Sequence, residues 1–528
     1  MKPTFAAARL ALACLTAGAL SLVSLHSHAA PGLPSKNVAW LAAAADADVD
    51  RAFTQAKAQN KPVLLYWGAT WCPPCNQLKA TLFNRQDFAT LSRSFVAVHV
   101  DGDRPSAQKL GTRFKVSGYP TMVLFNPQGQ EITRLPGEVD APQVMAVLQG
   151  ALAGGRPVKA VLADALAGKP LVANDWRMLA FYSWGTDEQQ LLPKADVPGT
   201  LVQLAVASPA ADPETTTRLW LKALAASDDG QGVKADDALR ERVQRVLADP
   251  AQSRTHMDVV TGSADDIVRT LQPEGGAGRT ALMASFETAL KRLEADATLS
   301  RSDRMGALYA RVLLARLDSP KDAVQVQLPE PLLKDVREHV ARADREIADG
   351  YERMAVITYG GALLARAGLW DESDALLKSN LAKSHSPYYL MSQLGSNARK
   401  LGRKDDALQW FAKAWEKSDG PATRLQWGTS YFTALVDLTP QDAKRIEKTA
   451  AQLFTEASRD SGAFQGRSVR ALKRVGSKLT DWNKDGKQAA NLRRLQAQLK
   501  QVCPKVDAAG SQRATCEGLL KPAAKSAV

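Results

Sequence analysis

The stretch VLLYWGATWCPPCNQLK, Val63 to Lys79, joins an apolar run to two cysteines separated only by prolines. VLLYW is short, continuous and follows Lys61-Pro62, which is the pattern of a strand buried on both faces. The cysteine motif follows at the end of this strand and opens a helix. The segment therefore reads as strand, tight turn and helix, with Cys72 at the helix start. Two thiols at this spacing serve as a redox couple, as half of a metal site or as a structural staple.

Position favours redox chemistry. A cysteine at a helix N-terminus faces free N–H groups and the positive end of the helix dipole, and both favour the thiolate. Cys72 is thus the expected nucleophile, and Cys75, set back and buried, the thiol that resolves a mixed disulfide. Pro73 and Pro74 remove two first-turn donors, leaving the N–H groups of Cys75 and Asn76 to face the sulfur. No histidine or other cation lies between the cysteines, so Cys72 is expected to be moderately activated. Its potential is expected below roughly −150 mV, in the reducing or isomerase range. A glutathione equilibrium near about −120 mV, the value of a strong oxidant, would overturn this. A zinc site would need Cys503 and Cys516, more than 400 residues away and without matching short spacing.

Working outward, VDRAFTQAKAQN, residues 49–60, has helical patterning ahead of the strand. A short helix near Phe88 to Arg93 precedes the strand FVAVHV. A helix around Ser106 to Phe114, a strand from Thr121 to Phe125, a turn over Asn126 to Gly129, an edge strand through Thr133 and a helix from Ala141 to about Leu152 complete the unit. Alternating strands and helices indicate an α/β domain over 46–153. Past Gly154-Gly155, segments such as TALMASFETALKRLEA and RMGALYARVLLARL carry apolar residues at helical spacing. The remainder is expected to be a long all-α region of helical hairpins.

WCPPC after an apolar strand, with VSGYPT downstream so that Pro120 lies 48 residues after Cys72, resembles the thioredoxin superfamily over about Val49 to Gly150. The resemblance implies a central mixed sheet flanked by helices, a cis proline at Pro120 lying against the cysteines, and a peptide-docking edge at Tyr119 and Pro120. Trp71 is expected beside the dithiol as part of that substrate-facing surface. FKVSGYPTMVLF is similar to protein disulfide isomerase domains, and AFTQAKAQNKPVLLYWGATWCPPC resembles periplasmic thioredoxin-like domains that pass electrons from an inner-membrane carrier. One position departs from the family: Tyr66 stands six residues before Cys72, where a buried Asp or Glu commonly handles the proton of the resolving thiol.

In the helical region Gly361, Gly368 and Pro387 recur 34 residues later as Gly395, Gly402 and Pro421. MSQLGSNARKLGRKDDALQWFAKAWEKSDGP, with Ala407, Phe411 and Ala414 on its second helix, resembles a tetratricopeptide repeat. Such repeats are expected over 351–460, between a helical region at 154–350 and a basic helical end at 461–528. Trp410, Phe411 and Trp415 fall at packing positions.

Lys2 and Arg9, the apolar run Leu10 to Leu25 and the small residues Ala29 and Ala30 suit a secretory signal peptide over 1–29, followed by a segment at 30–45. Cys14 belongs to the removed portion. An oxidising compartment, the periplasm, then suits the four remaining cysteines, and Cys503 with Cys516 reads as a structural disulfide. The net charge is +13, and residues 442–528 hold 18 Lys and Arg against 8 Asp and Glu. No nucleic-acid motif accompanies that charge, which reads as a solvated helical face. DWNKDG, residues 481–486, imitates a calcium loop but has Leu492 at the twelfth place, so a turn is expected. His99, His256, His339 and His385 are scattered.

The sequence thus leads to an exported protein-disulfide reductase or isomerase that needs no cofactor beyond its cysteines. Disulfide-bearing proteins or peptides would be its substrates, an inner-membrane thiol carrier its electron donor, and the repeats a site for a client or partner. The alternative is a periplasmic binding or assembly scaffold with a thioredoxin-like docking module.

Overall fold

A computed structural model describes residues 37–521 apart from 136, 138–139, 188–189, 228–231, 321 and 509–510. The expected signal peptide with Cys14 lies outside the described residues.

Val63 to Gly68 forms the central strand β2, every residue of which is buried. Its alternation builds two cores. Leu64 and Tyr66 pack with Phe83, Phe88 and Leu148, whereas Val63, Leu65 and Trp67 pack with Val49, Ala52 and Leu110 on the opposite face. The first face is covered by α2 (Pro73–Thr81), α3 (Gln86–Leu91) and α5 (Ala141–Leu152); the second by α1 (Asp46–Gln59) and α4 (Ala107–Arg113). With β1 (Leu41–Ala43), β3 (Val96–Asp101), β4 (Thr121–Phe125) and β5 (Glu131–Leu135), the sheet runs β1-β3-β2-β4-β5. β3 is parallel to both β1 and β2, while β4 is antiparallel to β2 and β5.

Two local differences from the sequence expectation have physical causes. The three-residue β1 precedes the segment expected to start the domain; it is too short to show a period and is held by its pairing of Leu41 with Val98. β5 runs on to Leu135, and the polypeptide after α5 covers it. Ser183 N–H donates to Arg134 O, and the fully buried Arg134 guanidinium pairs with Glu131 and donates to the carbonyls of Phe114, Lys115 and Thr186. Covering an open edge in this way removes its unpaired backbone groups from other chains.

After β5 the described residues form helices and connecting turns, without a further sheet strand. The core below β2 continues into them: Val158, Leu162, Trp176 and Leu219 share one cluster with Leu64 and Tyr66. The 34-residue spacing has a structural counterpart. A Cβ on Gly361 would meet Leu377 at 2.7 Å, and one on Gly395 would meet Phe411 at 3.0 Å, so each glycine admits the neighbouring helix closely. Gly368 and Gly402 turn the chain between those helices with φ of +81° and +72°, a region open to glycine. Pro387 and Pro421 each start a helix, and Phe411 and Trp415 are buried.

The helical region folds back onto the α/β domain. Helix Gly350–Arg366 packs against α2, and helix Gly466–Trp482 packs against α4. Asp481 to Lys487 forms the end of a helix and a turn, in which Asn483 accepts the N–H of Gln488. No described helix is long and apolar enough to cross a membrane.

Candidate active site

Cys72 is the N-cap of α2, with Pro73 at the first helical position. Its Sγ accepts the N–H of Cys75 at 3.2 Å, while the N–H of Asn76 makes the first helical bond, to Cys72 O, at 3.0 Å. That corrects the sequence expectation: with both prolines lacking donors and Asn76 engaged in the helix ladder, Cys75 supplies the N–H at the sulfur. The Asn76 amide closes the turn by donating to Thr70 O and Cys72 O, each at 2.8 Å. Cys72 and Cys75 are disulfide-bonded, with Cα atoms 5.2 Å apart. The Tyr119-Pro120 peptide is cis.

Burial gives the least expected feature of the site. Cys72 is 2% exposed and Cys75 0%, and the neighbouring Trp71 is 8% exposed. The helical region is what covers them. Trp71 stacks on Tyr389 at 5.7 Å and meets Trp427 edge-on at 5.9 Å. Its indole N–H donates to Asp103 Oδ2 at 2.6 Å and to Thr423 Oγ1 at 2.8 Å. The Arg467 guanidinium lies 4.8 Å from the ring centres of both Trp71 and Tyr119. His385 Nε2 is 3.1 Å from Thr70 O. Trp71 and Tyr119 are thus beside the dithiol, but the surface they form is engaged by their own chain. Nothing local signals this, because Tyr389, Thr423, Trp427 and Arg467 lie more than 300 residues beyond the cysteines.

Tyr66 lies in the layer under α2. The phenol is fully buried, stacked on His99 at 5.1 Å, and burial pushes its acidity far out of the neutral range. Lys79, one helical turn beyond Cys75, is also buried, its Nζ 5.0 Å from the ring centre of Tyr351. Desolvation lowers its pKa, and the charge of Asp101 opposes that shift. Asp101, paired in register with Gly68, is pushed up to about 6 by burial and then by neighbouring Asp103. A carboxyl raised toward neutrality therefore stands at the end of β3. A lysine four residues after Cys75, on the same helix face, was the available sequence signal.

Cys503 and Cys516 form a second disulfide, with Cα atoms 5.6 Å apart. Both are buried, in an apolar cluster that also contains Trp71, Cys72 and Cys75. Among the described residues, His, Cys, Asp and Glu form no group able to hold a metal ion.

Comparison with known proteins places this geometry. The family model of the thioredoxin-like domain matches residues 49–152. A thioredoxin-like protein of Synechocystis sp. is 36% identical over 89 residues, covering 17% of this chain and 80% of that protein. The chain belongs to the thioredoxin-like family. Its thioredoxin-like domain is also similar to two longer proteins. Thiol:disulfide interchange protein DsbD 2 of Pseudomonas aeruginosa is 29% identical over 131 residues, 24% of this chain and 22% of that one. Thiol:disulfide interchange protein DsbD of Cronobacter sakazakii is 35% identical over 99 residues, 18% of this chain and 17% of that one. The match thus spans about a fifth of these two relatives. The solution structure of a thioredoxin from Thermus thermophilus is 25% identical, covers 22% of this chain and 90% of its own, and has a TM-score of 0.20.

Proposed function

We propose that this chain is an exported, periplasmic thiol-disulfide oxidoreductase of the protein-disulfide reductase or isomerase type. The observation that carries the reading is the Cys72–Cys75 pair at the N-terminus of α2, with the Cys75 N–H on the Cys72 sulfur. In the reduced enzyme the Cys72 thiolate attacks a substrate disulfide, forming a mixed disulfide and releasing one substrate thiolate. The Cys75 thiolate then attacks the Cys72 sulfur, restoring the Cys72–Cys75 disulfide and releasing the second. Two electrons pass from the dithiol to the substrate, and the two thiol protons leave with the product sulfurs. Asp101, at the end of β3 opposite Gly68 and in charge interaction with Lys79 of the helix that carries Cys75, takes the proton of Cys75. Tyr119 and Pro120 position the incoming peptide, with Trp71 beside them. An inner-membrane dithiol carrier re-reduces the pair, the tetratricopeptide-like helices hold a client or partner, and Cys503–Cys516 staples the C-terminal helices.

The test is single-turnover reduction of a short peptide disulfide by the chemically reduced protein. Cys72→Ser is expected to abolish it; equal rates in wild type and variant would overturn the reading. The burial of Cys72 favours a second reading, in which the helical array is the working part and the thioredoxin-like domain a docking module. That reading expects a partner to bind Cys72→Ser and wild type alike, with no exchange by either.

A further inference from the structure

We infer that the helical region narrows the substrate of this dithiol to one class: an extended, cystine-bearing peptide segment without net negative charge, entering through a cleft beside α2. The inference rests on the exchange reading above. A cleft of about 470 Å³ runs along the α/β domain where Pro73, Pro74, Tyr119 and Pro120 form one wall. The other wall comes from the helical region, through residues such as Tyr359 and Tyr389. This volume lies within the ~300–1,000 Å³ of sites that enclose a small ligand, room for a few peptide residues but not for a folded domain.

The remaining approaches to the cysteines are closed. Trp71 is held by Thr423, Tyr389, Trp427 and Arg467, as described. On the α4 side, Ser106 N–H donates to Asp460 Oδ1 at 2.8 Å, and Arg467 N–H donates to Gln108 Oε1 at 2.7 Å. A protein surface of ordinary breadth cannot reach a cysteine that is 2% exposed behind these contacts. Tyr119 and Tyr389 are common to both features, each lining the cleft and in ring contact with Trp71. On this proposal Tyr389 moves off Trp71 to admit the peptide.

Charge selects among narrow disulfides. The described lining residues include no lysine or arginine, and they include Asp258 and Asp303. Asp258 is neutralised by a two-point pair with buried Arg218, whereas Asp303 is bonded to Gln77 and Ser300 and forms no ion pair among the described residues. Such a lining disfavours an anionic small disulfide such as oxidised glutathione. The uncharged amides of Gln77 and Gln393, also in the lining, suit peptide groups.

The experiment compares single-turnover rates of the reduced full chain with three substrates: a neutral short peptide disulfide, oxidised glutathione and a folded protein with a surface disulfide. The peptide should react at least about tenfold faster than either of the others. Ala362→Phe, on the cleft wall at a partly exposed position, should slow the peptide by about tenfold or more at unchanged melting temperature. Arg467→Ala, which loosens the cover, should speed the folded protein. Equal rates for peptide and folded protein, equal rates for peptide and glutathione disulfide, or an Ala362→Phe rate equal to wild type would each overturn the inference. If none of the three is reduced, or reduction survives Cys72→Ser, the exchange reading itself falls instead.

Discussion

Trp71, the residue before the first cysteine of the dithiol, donates its indole N–H to Thr423, which lies 352 residues further along the chain. The contact ties the expected substrate face of the thioredoxin-like domain to the helical region. Thr423→Val removes this acceptor and leaves the indole its bond to Asp103. A lost hydrogen bond of this kind weakens the contact by about 1 kcal/mol, enough to raise the population of uncovered states several-fold. Alkylation of reduced Cys72 should accelerate correspondingly; a rate equal to wild type would show that Thr423 does not hold the cover.

Asp101 should leave a mark on the pH profile of exchange. Its carboxyl is pushed up to about 6, so it is protonated below that pH and able to accept the proton of Cys75 above it. The single-turnover rate for a peptide disulfide should therefore rise through an inflection near 6. Asp101→Asn should remove this inflection, and Tyr66→Phe should preserve it. An unchanged profile in Asp101→Asn would remove Asp101 from the proton path.

Stability should fall in mild acid because two histidines are buried neutral. Desolvation depresses His99 to about 3 and His256 to about 4. Their stabilising contributions are complete above the unfolded-state pKa near 6.5 and are lost as pH falls toward the folded values. From pH 6.5 to 5 each costs roughly 2 kcal/mol. Asp101 acts with the opposite sign, gaining stability as pH falls through its raised value, but it offsets only part of the loss. Denaturant unfolding of wild type and His99→Phe at several pH values should give a shallower acid slope in the variant. Parallel slopes would contradict the assignment to His99.

The C-terminal disulfide should matter to folding and leave the chemistry alone. Closing a loop of this length contributes about 3 kcal/mol. A Cys503→Ser, Cys516→Ser double variant should lose about that much stability while exchanging peptide disulfides at the wild-type rate. A variant folded as well as wild type but inactive would instead make Cys503 and Cys516 part of the electron path.

Much of the α/β domain was legible because its signals are local. VLLYW announces a buried strand, the cysteine motif a helix start, and Asn126 to Gly129 a turn, and each is where the sequence puts it. β1 was hidden because three residues held by a neighbouring strand carry no period. The cysteine pair and the cis Tyr119-Pro120 peptide were likewise readable, from spacing and from family likeness. The cover over them was not. Tyr389, Trp427 and Arg467 each look like ordinary residues of amphipathic helices, and only the folding back of those helices onto α2 and α4 brings them to Trp71. Asp101 was missed for a related reason: its raised acidity comes from burial between elements, which no motif records.

The central claim, that Cys72 is the attacking sulfur toward a peptide disulfide, is tested most directly by trapping. Cys75→Ala leaves Cys72 without its resolving partner, so the first exchange step should stop at the mixed disulfide. Incubated with a neutral peptide disulfide, the variant should carry one peptide on Cys72 by mass spectrometry, released by dithiothreitol. An absent adduct, or one that persists in a Cys72→Ser, Cys75→Ala double variant, would contradict the account.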